Sequence, residues 1–143
     1  MSGAIEIETA LRTRLFAVAP GAAVAAALVK NEGQSFTPPT SGFWYQPFFL
    51  SGEPYAAGIG ESAANRHAGI FQVDIYGLAN KGTKPTNDEA ERVRQCYKRD
   101  FALTASGVVV RVVKSWTYRP ESQGDPAWFR HIVKVQWTSD VEN

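Results

Sequence analysis

Three segments of this chain alternate apolar and polar residues with a period of two. They span 68–76, 107–118 and 128–138. A two-residue period places alternate side chains on opposite faces of a β-strand, so each segment is predicted to be a strand with one face against a core. The core-facing residues of the first segment are predicted to be Phe71, Val73 and Ile75, and its other face carries Ile70, Gln72, Asp74 and Tyr76.

Two further segments are predicted to be extended. Residues 43–50, with the sequence FWYQPFFL, are predicted to form an aromatic strand. Pro47 predicts that this strand lies at a sheet edge or carries a bulge, because proline has no N–H to donate. Residues 22–29 are small and apolar, which favours a short strand, although their alanines would also suit a helix. The Gly-, Ala- and Ser-rich stretch 51–67 is interpreted as a long loop.

Two helices are predicted from apolar stripes at helical spacing. In residues 4–18 the stripe consists of Ile7, Leu11, Leu15 and Val18, and Pro20-Gly21 ends the helix. The second helix is predicted to begin at the capping box Thr86-x-x-Glu89. Its buried stripe would consist of Ala90, Val93, Tyr97 and Phe101.

The order of these elements predicts the fold class. A helix, several strands, a second helix and a final pair of strands indicate an α+β fold with a mainly antiparallel mixed sheet and two helices packed on one face. The length of 143 residues favours one domain covering 1–143.

Charge and cysteine content narrow the classes of function. The 15 basic and 14 acidic residues give a net charge of +1, which argues against DNA as a main partner. A predicted helix with a basic face could bind nucleic acid, but a solvated helix face is favoured; its basic residues are Arg92, Arg94, Lys98 and Arg99. Cys96 is the one cysteine, which excludes an intramolecular disulfide. The apolar stretch 15–29 is too short to span a bilayer, and acidic residues precede it, so neither a signal peptide nor a membrane span is predicted.

No pattern of catalytic residues is recognised, so the chain is predicted not to be an enzyme. His67 falls in the predicted loop, and His131 falls on the core-facing phase of the last strand. Asp74 is expected to face solvent or to pair across a subunit boundary. Gly58-x-Gly60 lacks the Lys-Ser/Thr of a phosphate loop, and no metal or cofactor is predicted.

Three local patterns carry a resemblance to a known family. The first is the N-terminal pattern Ile5-Glu6-x-x-x-Ala10-Leu11-x-x-Arg14-Leu15, and the second is Arg66-x-x-Gly69 followed by IFQVDIY and a Gly/Lys loop. The third is a helix containing Ala90 and Phe101, then a Val-rich strand and a last strand with aromatic ends. In this order they resemble the phage tail terminator family of long-tailed phages.

The resemblance implies a structural role in the virion. Members of this family form a hexameric ring on the growing end of the tail tube, which stops tube polymerisation and presents a surface for docking to the head. The implied partners are further copies of the chain, the major tail tube protein and a head-completion or neck protein. DNA would pass through the lumen without specific binding, and no cofactor is implied. The implied location is the head-proximal end of the tail, after assembly in the host cytoplasm.

Six residues are candidates for contacts with the tube or with neighbouring subunits. Four of them belong to the predicted loop: Tyr55, Glu61, Arg66 and His67. Phe43 and Tyr45 belong to the aromatic strand.

Two alternatives stay open from the sequence. One is a head-completion or neck connector subunit, which electron microscopy of particles lacking the protein would distinguish from a terminator. The other is a small-ligand-binding α+β domain, with a pocket lined by Trp44, Phe48, Trp116 and Trp137.

Overall fold

The computed structural model describes residues 4–17, 21–31, 33–40, 42–56, 58–60, 63–121, 123 and 127–141. In this part of the chain there are two α-helices, α1 (Ala4–Phe16) and α2 (Lys84–Arg94). The strands are β1 (Trp44–Ser51), β2 (Tyr55–Ala56), β3 (Asn65–Leu78), β4 (Ala102–Ala105), β5 (Val108–Tyr118) and β6 (Trp128–Val141). Two short 3-10 helices cover Ala26–Leu28 and Ala79–Lys81.

The strands form one curled antiparallel sheet in the order β1-β3-β6-β5-β4, and β2 pairs with the beginning of β3. The longest pairing joins β3 to β6 from Asn65↔Val141 to Leu78↔Trp128 without a shift in register. The β5–β6 pairing contains an irregularity between Val112 and Lys114. The predicted α+β class is confirmed.

Both helices pack on one face of the sheet, as predicted. The stripe residues Ile7, Leu11 and Leu15 of α1 are completely buried, as are Phe71, Val73 and Ile75 of β3. α1 packs against β4 and β5, whereas α2 packs mainly against β6 and β3. We call this side of the sheet the helix face and the opposite side the open face.

The predicted edge position of Pro47 is confirmed, because β1 is the first strand of the sheet. The prediction of a strand at 22–29 is wrong. Within this segment Ala26–Leu28 form a 3-10 helix, and Val29 makes one isolated parallel bridge to Tyr45 of β1. Alanine disfavours strands, and Ala23 has a φ of 54°, which breaks an extended backbone.

The interpretation of 51–67 as a loop is wrong at both ends. β1 continues to Ser51, and β3 begins at Asn65, so Arg66 and His67 lie in a strand. The reason is long-range pairing: Arg66 is opposite Asp140 of β6, and His67 is opposite Ser139. Such a partner more than 70 positions away is invisible in a local pattern.

The predicted start and end of the second helix are also wrong. α2 begins at Lys84, with Pro85 in its first turn, and the preceding Thr83 makes no side-chain capping bond. Thr86 is buried inside the helix, so it does not act as a cap. The helix ends at Arg94, and the chain then forms β4, which the sequence analysis missed.

Candidate assembly surfaces

The open face has two halves. We call the half near the N-terminus of β1 the inner half and the half near the C-terminal end of β6 the outer half. The inner half is an aromatic cluster in which Trp44 contacts three rings. It stacks on Tyr76 with centroids 3.9 Å apart, meets Trp128 edge-on at 5.8 Å, and lies 5.2 Å from Phe36 of the preceding loop. These contacts bury Trp44 within the subunit.

Asp74 lies beside this cluster and is only 2% exposed. Its carboxylate accepts a hydrogen bond from Gln72 Nε2 at 2.8 Å and pairs with the Arg130 guanidinium at 3.4 Å. The expectation that Asp74 faces solvent or a subunit boundary is therefore wrong, because its partners lie in its own chain. Burial raises the pKa of Asp74, and the contacts with Gln72 and Arg130 partly oppose this rise.

The raised pKa of Asp74 predicts a pH-dependent stability. Between the ordinary value of 3.8 and the raised value, the folded chain retains a proton that the unfolded chain has released. The stability from this group is present below the unfolded pKa and is lost as pH rises through the folded pKa. Asp74→Asn removes this titration, so urea unfolding from about pH 4 to 7 should show the variant gaining relative to wild type. A difference that is independent of pH would contradict this prediction.

The outer half of the open face carries half-buried and exposed side chains, some of them aliphatic and others aromatic or charged. Leu50 is 53% exposed, and Val109 and Val113 are also exposed. The Lys114 ammonium lies 5.3 Å from the Trp116 ring centroid. Aromatic rings with cations beside them, next to exposed aliphatic groups, form a surface suited to protein contacts.

Three of the sequence-predicted residues lie near the beginning of β3, where Tyr55 and Arg66 share the open face and His67 projects toward the helix face. Arg66 forms a bidentate ion pair with Asp140, at 2.8 and 3.1 Å. This hydrogen-bonded pair raises the pKa of Arg66 and lowers the pKa of Asp140. Tyr55 is the cross-strand partner of Arg66, and His67 is the next residue along β3. Glu61, the fourth candidate of this group, lies outside the described residues.

Phe43 and Tyr45 lie at the other end of β3. Phe43 is half-buried and lines a cavity of about 300 Å³. Tyr45 is 4% exposed, and its hydroxyl donates a hydrogen bond to the Glu89 carboxylate of α2. Burial, followed by the bond to Glu89, raises the pKa of Tyr45. Its ring therefore serves the packing of its own subunit.

The bond from Tyr45 belongs to a small network that the sequence analysis missed. Arg92 donates two hydrogen bonds to Glu89, at 2.8 and 2.7 Å, and a third to the Ala22 carbonyl at 2.6 Å. The network ties α2 to β1 and to the segment after α1. Glu89 and Arg92 are three residues apart on one helix face, so their ion pair could have been predicted from the sequence. Their contacts with the distant residues Tyr45 and Ala22 could not.

The described residues bring no catalytic set together. His67 and His131 are opposite Ser139 and Ile75 respectively, so eight positions of β3 separate them, or about 27 Å. His131 is buried, which lowers its pKa. Within the described ranges, no three His, Cys, Asp or Glu side chains are grouped as metal ligands would be. None of the described helices is long and apolar enough to cross a membrane.

An α+β core with exposed apolar side chains on its open face, and no grouped metal ligands among the described residues, is compatible with a structural assembly subunit. The sequence identifies which one: it matches the phage tail terminator protein family over residues 6–137, and the chain belongs to this family. The resemblance recognised in the sequence is thus confirmed, and the protein is a structural virion component, not an enzyme.

The solved structures that share this fold include the following two. One is 20% identical, with a TM-score of 0.64 over 96% of this chain and 94% of that chain. The other is a chain from the virion of a native gene transfer agent particle, 19% identical, with a TM-score of 0.59 over 99% of this chain and 98% of that chain. No curated protein sequence matches this chain significantly.

Proposed function

We propose that six copies of this chain form a ring on the end of the phage tail tube. The ring stops polymerisation of the tube protein and provides the surface to which the filled head docks. Membership of the tail terminator family carries this proposal. The presence of a chain with this fold in a gene transfer agent virion supports a place in a virion particle.

Physical features of the subunit support a role in assembly. A head-to-tail contact uses two different patches of each subunit and closes into a ring when the rotation between neighbours divides a full turn. The outer half of the open face, with Leu50, Val109 and Val113, offers apolar area for such contacts. The balanced net charge of +1 suits a lumen through which DNA passes without being held.

The proposed partners follow from this position. They are neighbouring copies of the chain, the tail tube protein and a head-completion or neck protein at the head-proximal end. Assembly takes place in the host cytoplasm before the tail joins the head. Tyr55, Arg66 and His67 lie together at one end of the subunit and are the proposed contact residues there.

Tail length provides the test of the proposed function. Phage particles lacking this protein are expected to have overlong tails of variable length under the electron microscope, because nothing ends tube growth. Supplying the wild-type protein should restore uniform length. Tails of normal length that fail to join heads would instead indicate a neck connector subunit.

A further inference from the structure

The turn that joins β2 to β3 exposes an aliphatic side chain completely. Ile59 lies between Gly58 and Gly60 in a bend, and nothing in the described chain reduces its exposure. Tyr55, in the β2 strand that leads into this turn, is 55% exposed. We call residues 52–56 and 58–60 the hairpin tip. One exposed isoleucine is unremarkable on a protein surface, so its meaning depends on a matching site.

A matching cavity lies where β3 meets α2. It has a volume of about 300 Å³, and apolar groups dominate its lining, which includes Phe43, Gly77, Leu78 and Pro85. We call it the β3–α2 pocket. Its size is at the lower end of the range for binding pockets, about 300–1,000 Å³, which suits one inserted side chain more than an extended ligand.

Gly77 allows the pocket its shape. A Cβ at this position would lie 2.6 Å from Thr86 Oγ1 and 3.2 Å from the Phe43 ring. Any larger residue would push the first turn of α2 away from β3 or move the aromatic wall. The pocket is thus built by close approach of helix and strand, with Phe43 as one wall.

The hairpin tip and the pocket lie at opposite ends of the same strand. β3 runs from Asn65 to Leu78, a distance of about 44 Å. The tip of a chain is therefore remote from the pocket of that chain. A projection and a cavity at the two ends of one strand can serve as the two different patches that head-to-tail association requires.

Charges at the two sites are complementary. Glu53 is an exposed carboxylate of the hairpin tip, and Lys81 is an exposed ammonium in the lining of the pocket. Opposite charges beside an apolar contact favour one partner and one register over others. A second copy of this chain would supply both the apolar side chain of Ile59 for the pocket and the carboxylate of Glu53 for Lys81.

We infer that Ile59 of one subunit inserts into the β3–α2 pocket of the next, so that this pair forms the head-to-tail contact of the ring. The inference rests on the proposed function for the ring itself, and it adds the two surfaces that meet. Glu53 and Lys81 then pair at the edge of the contact.

Cysteine cross-linking tests this contact in assembled tails. Phage carrying Ile59→Cys and Lys81→Cys in one chain is expected, on mild oxidation of purified virions, to give a ladder of linked subunits up to the complete ring. Each single variant should give no ladder, since the native Cys96 is buried. The pair Ile5→Cys and Lys81→Cys is the matched control, because Ile5 is also exposed but lies on α1.

The outcomes separate the inference from the proposed function. Tails of normal length without a ladder would overturn the inference and leave the function in place. A ladder in particles whose tails have normal length but fail to join heads would support the contact and count against termination. Cross-linking of Ile59→Cys to itself would mean a two-fold contact and would also overturn the inference.

A second set of variants covers the case in which the cysteine pair blocks assembly. Ile59→Asp places a charge in the apolar pocket, and subunit association is expected to weaken at least about tenfold, whereas Ile59→Leu should assemble normally. Ile5→Asp is the control for an exposed isoleucine elsewhere. Association is measured as the amount of protein retained on purified tails. Normal retention of Ile59→Asp would refute the contact.

Discussion

Trp137→Ala is expected to lower the free energy of unfolding by about 3–5 kcal/mol, the usual cost of removing a buried tryptophan. Trp137 is completely buried on the helix face, and its ring stacks on Phe49 at 5.4 Å between centroids with an angle of 9°. Urea unfolding of the free protein at fixed concentration measures the loss, because ring formation would make stability depend on concentration.

Trp137→Phe is the matched control for that variant. It keeps an aromatic ring against Phe49 and removes the indole Nε1, which is buried with no hydrogen-bond partner among the described residues. Phenylalanine is smaller than tryptophan and leaves a small cavity, so we expect a loss of about 1–2 kcal/mol, well below that of Trp137→Ala. Equal losses for the two variants would mean that the indole itself, and not filled volume, holds this part of the core together.

Gly69→Ala is expected to cost about 1–3 kcal/mol, the range for overpacking a filled site. An added Cβ would lie 2.1 Å from the Leu50 carbonyl oxygen, 2.9 Å from Trp137 Cζ2 and 3.0 Å from Ser51 Cα. Two of these atoms belong to the backbone of β1, which cannot give way by rotating a side chain. The pairing of β1 with β3 must therefore open near the hairpin tip.

Gly52→Ala is the control on the same hairpin. A Cβ there would meet the Ala68 carbonyl oxygen at 3.4 Å, which is an ordinary contact. We expect a change within about 0.5 kcal/mol, measured by urea unfolding beside Gly69→Ala. A loss in Gly52→Ala as large as in Gly69→Ala would show that any side chain on the hairpin is harmful and would contradict the steric explanation.

Local periodicity predicted the elements whose burial follows one face. The stripe residues Ile7, Leu11 and Leu15 and the alternation around Phe71, Val73 and Ile75 are completely buried on the helix face. Val18, the fourth predicted stripe residue, lies outside the described residues. Periodicity did not predict β4. β4 has only four residues, and it is joined to β5 by a two-residue turn in which both Ser106 and Gly107 have positive φ.

The surfaces could be predicted only in part because they depend on strand register. Tyr55, Arg66 and His67 were chosen as loop residues, but their positions result from the pairing of β3 with β2 and β6. The burial of Asp74 similarly depends on Arg130, 56 positions away. The β3–α2 pocket depends on the close approach of Thr86 to Gly77. The sequence analysis had instead predicted that Thr86 caps the second helix.

The unbroken pairing of β3 with β6 fixes the distance between the two ends of the subunit. Bending this pair of strands would break several backbone hydrogen bonds at once, so the separation of its two ends is set by the number of residue pairs. In a closed ring that joins these ends, the number of β3–β6 residue pairs would set the circumference. Lengthening both strands by two residues would add about 7 Å per subunit and widen the central opening. The width of that opening would then be set by the length of one pair of strands.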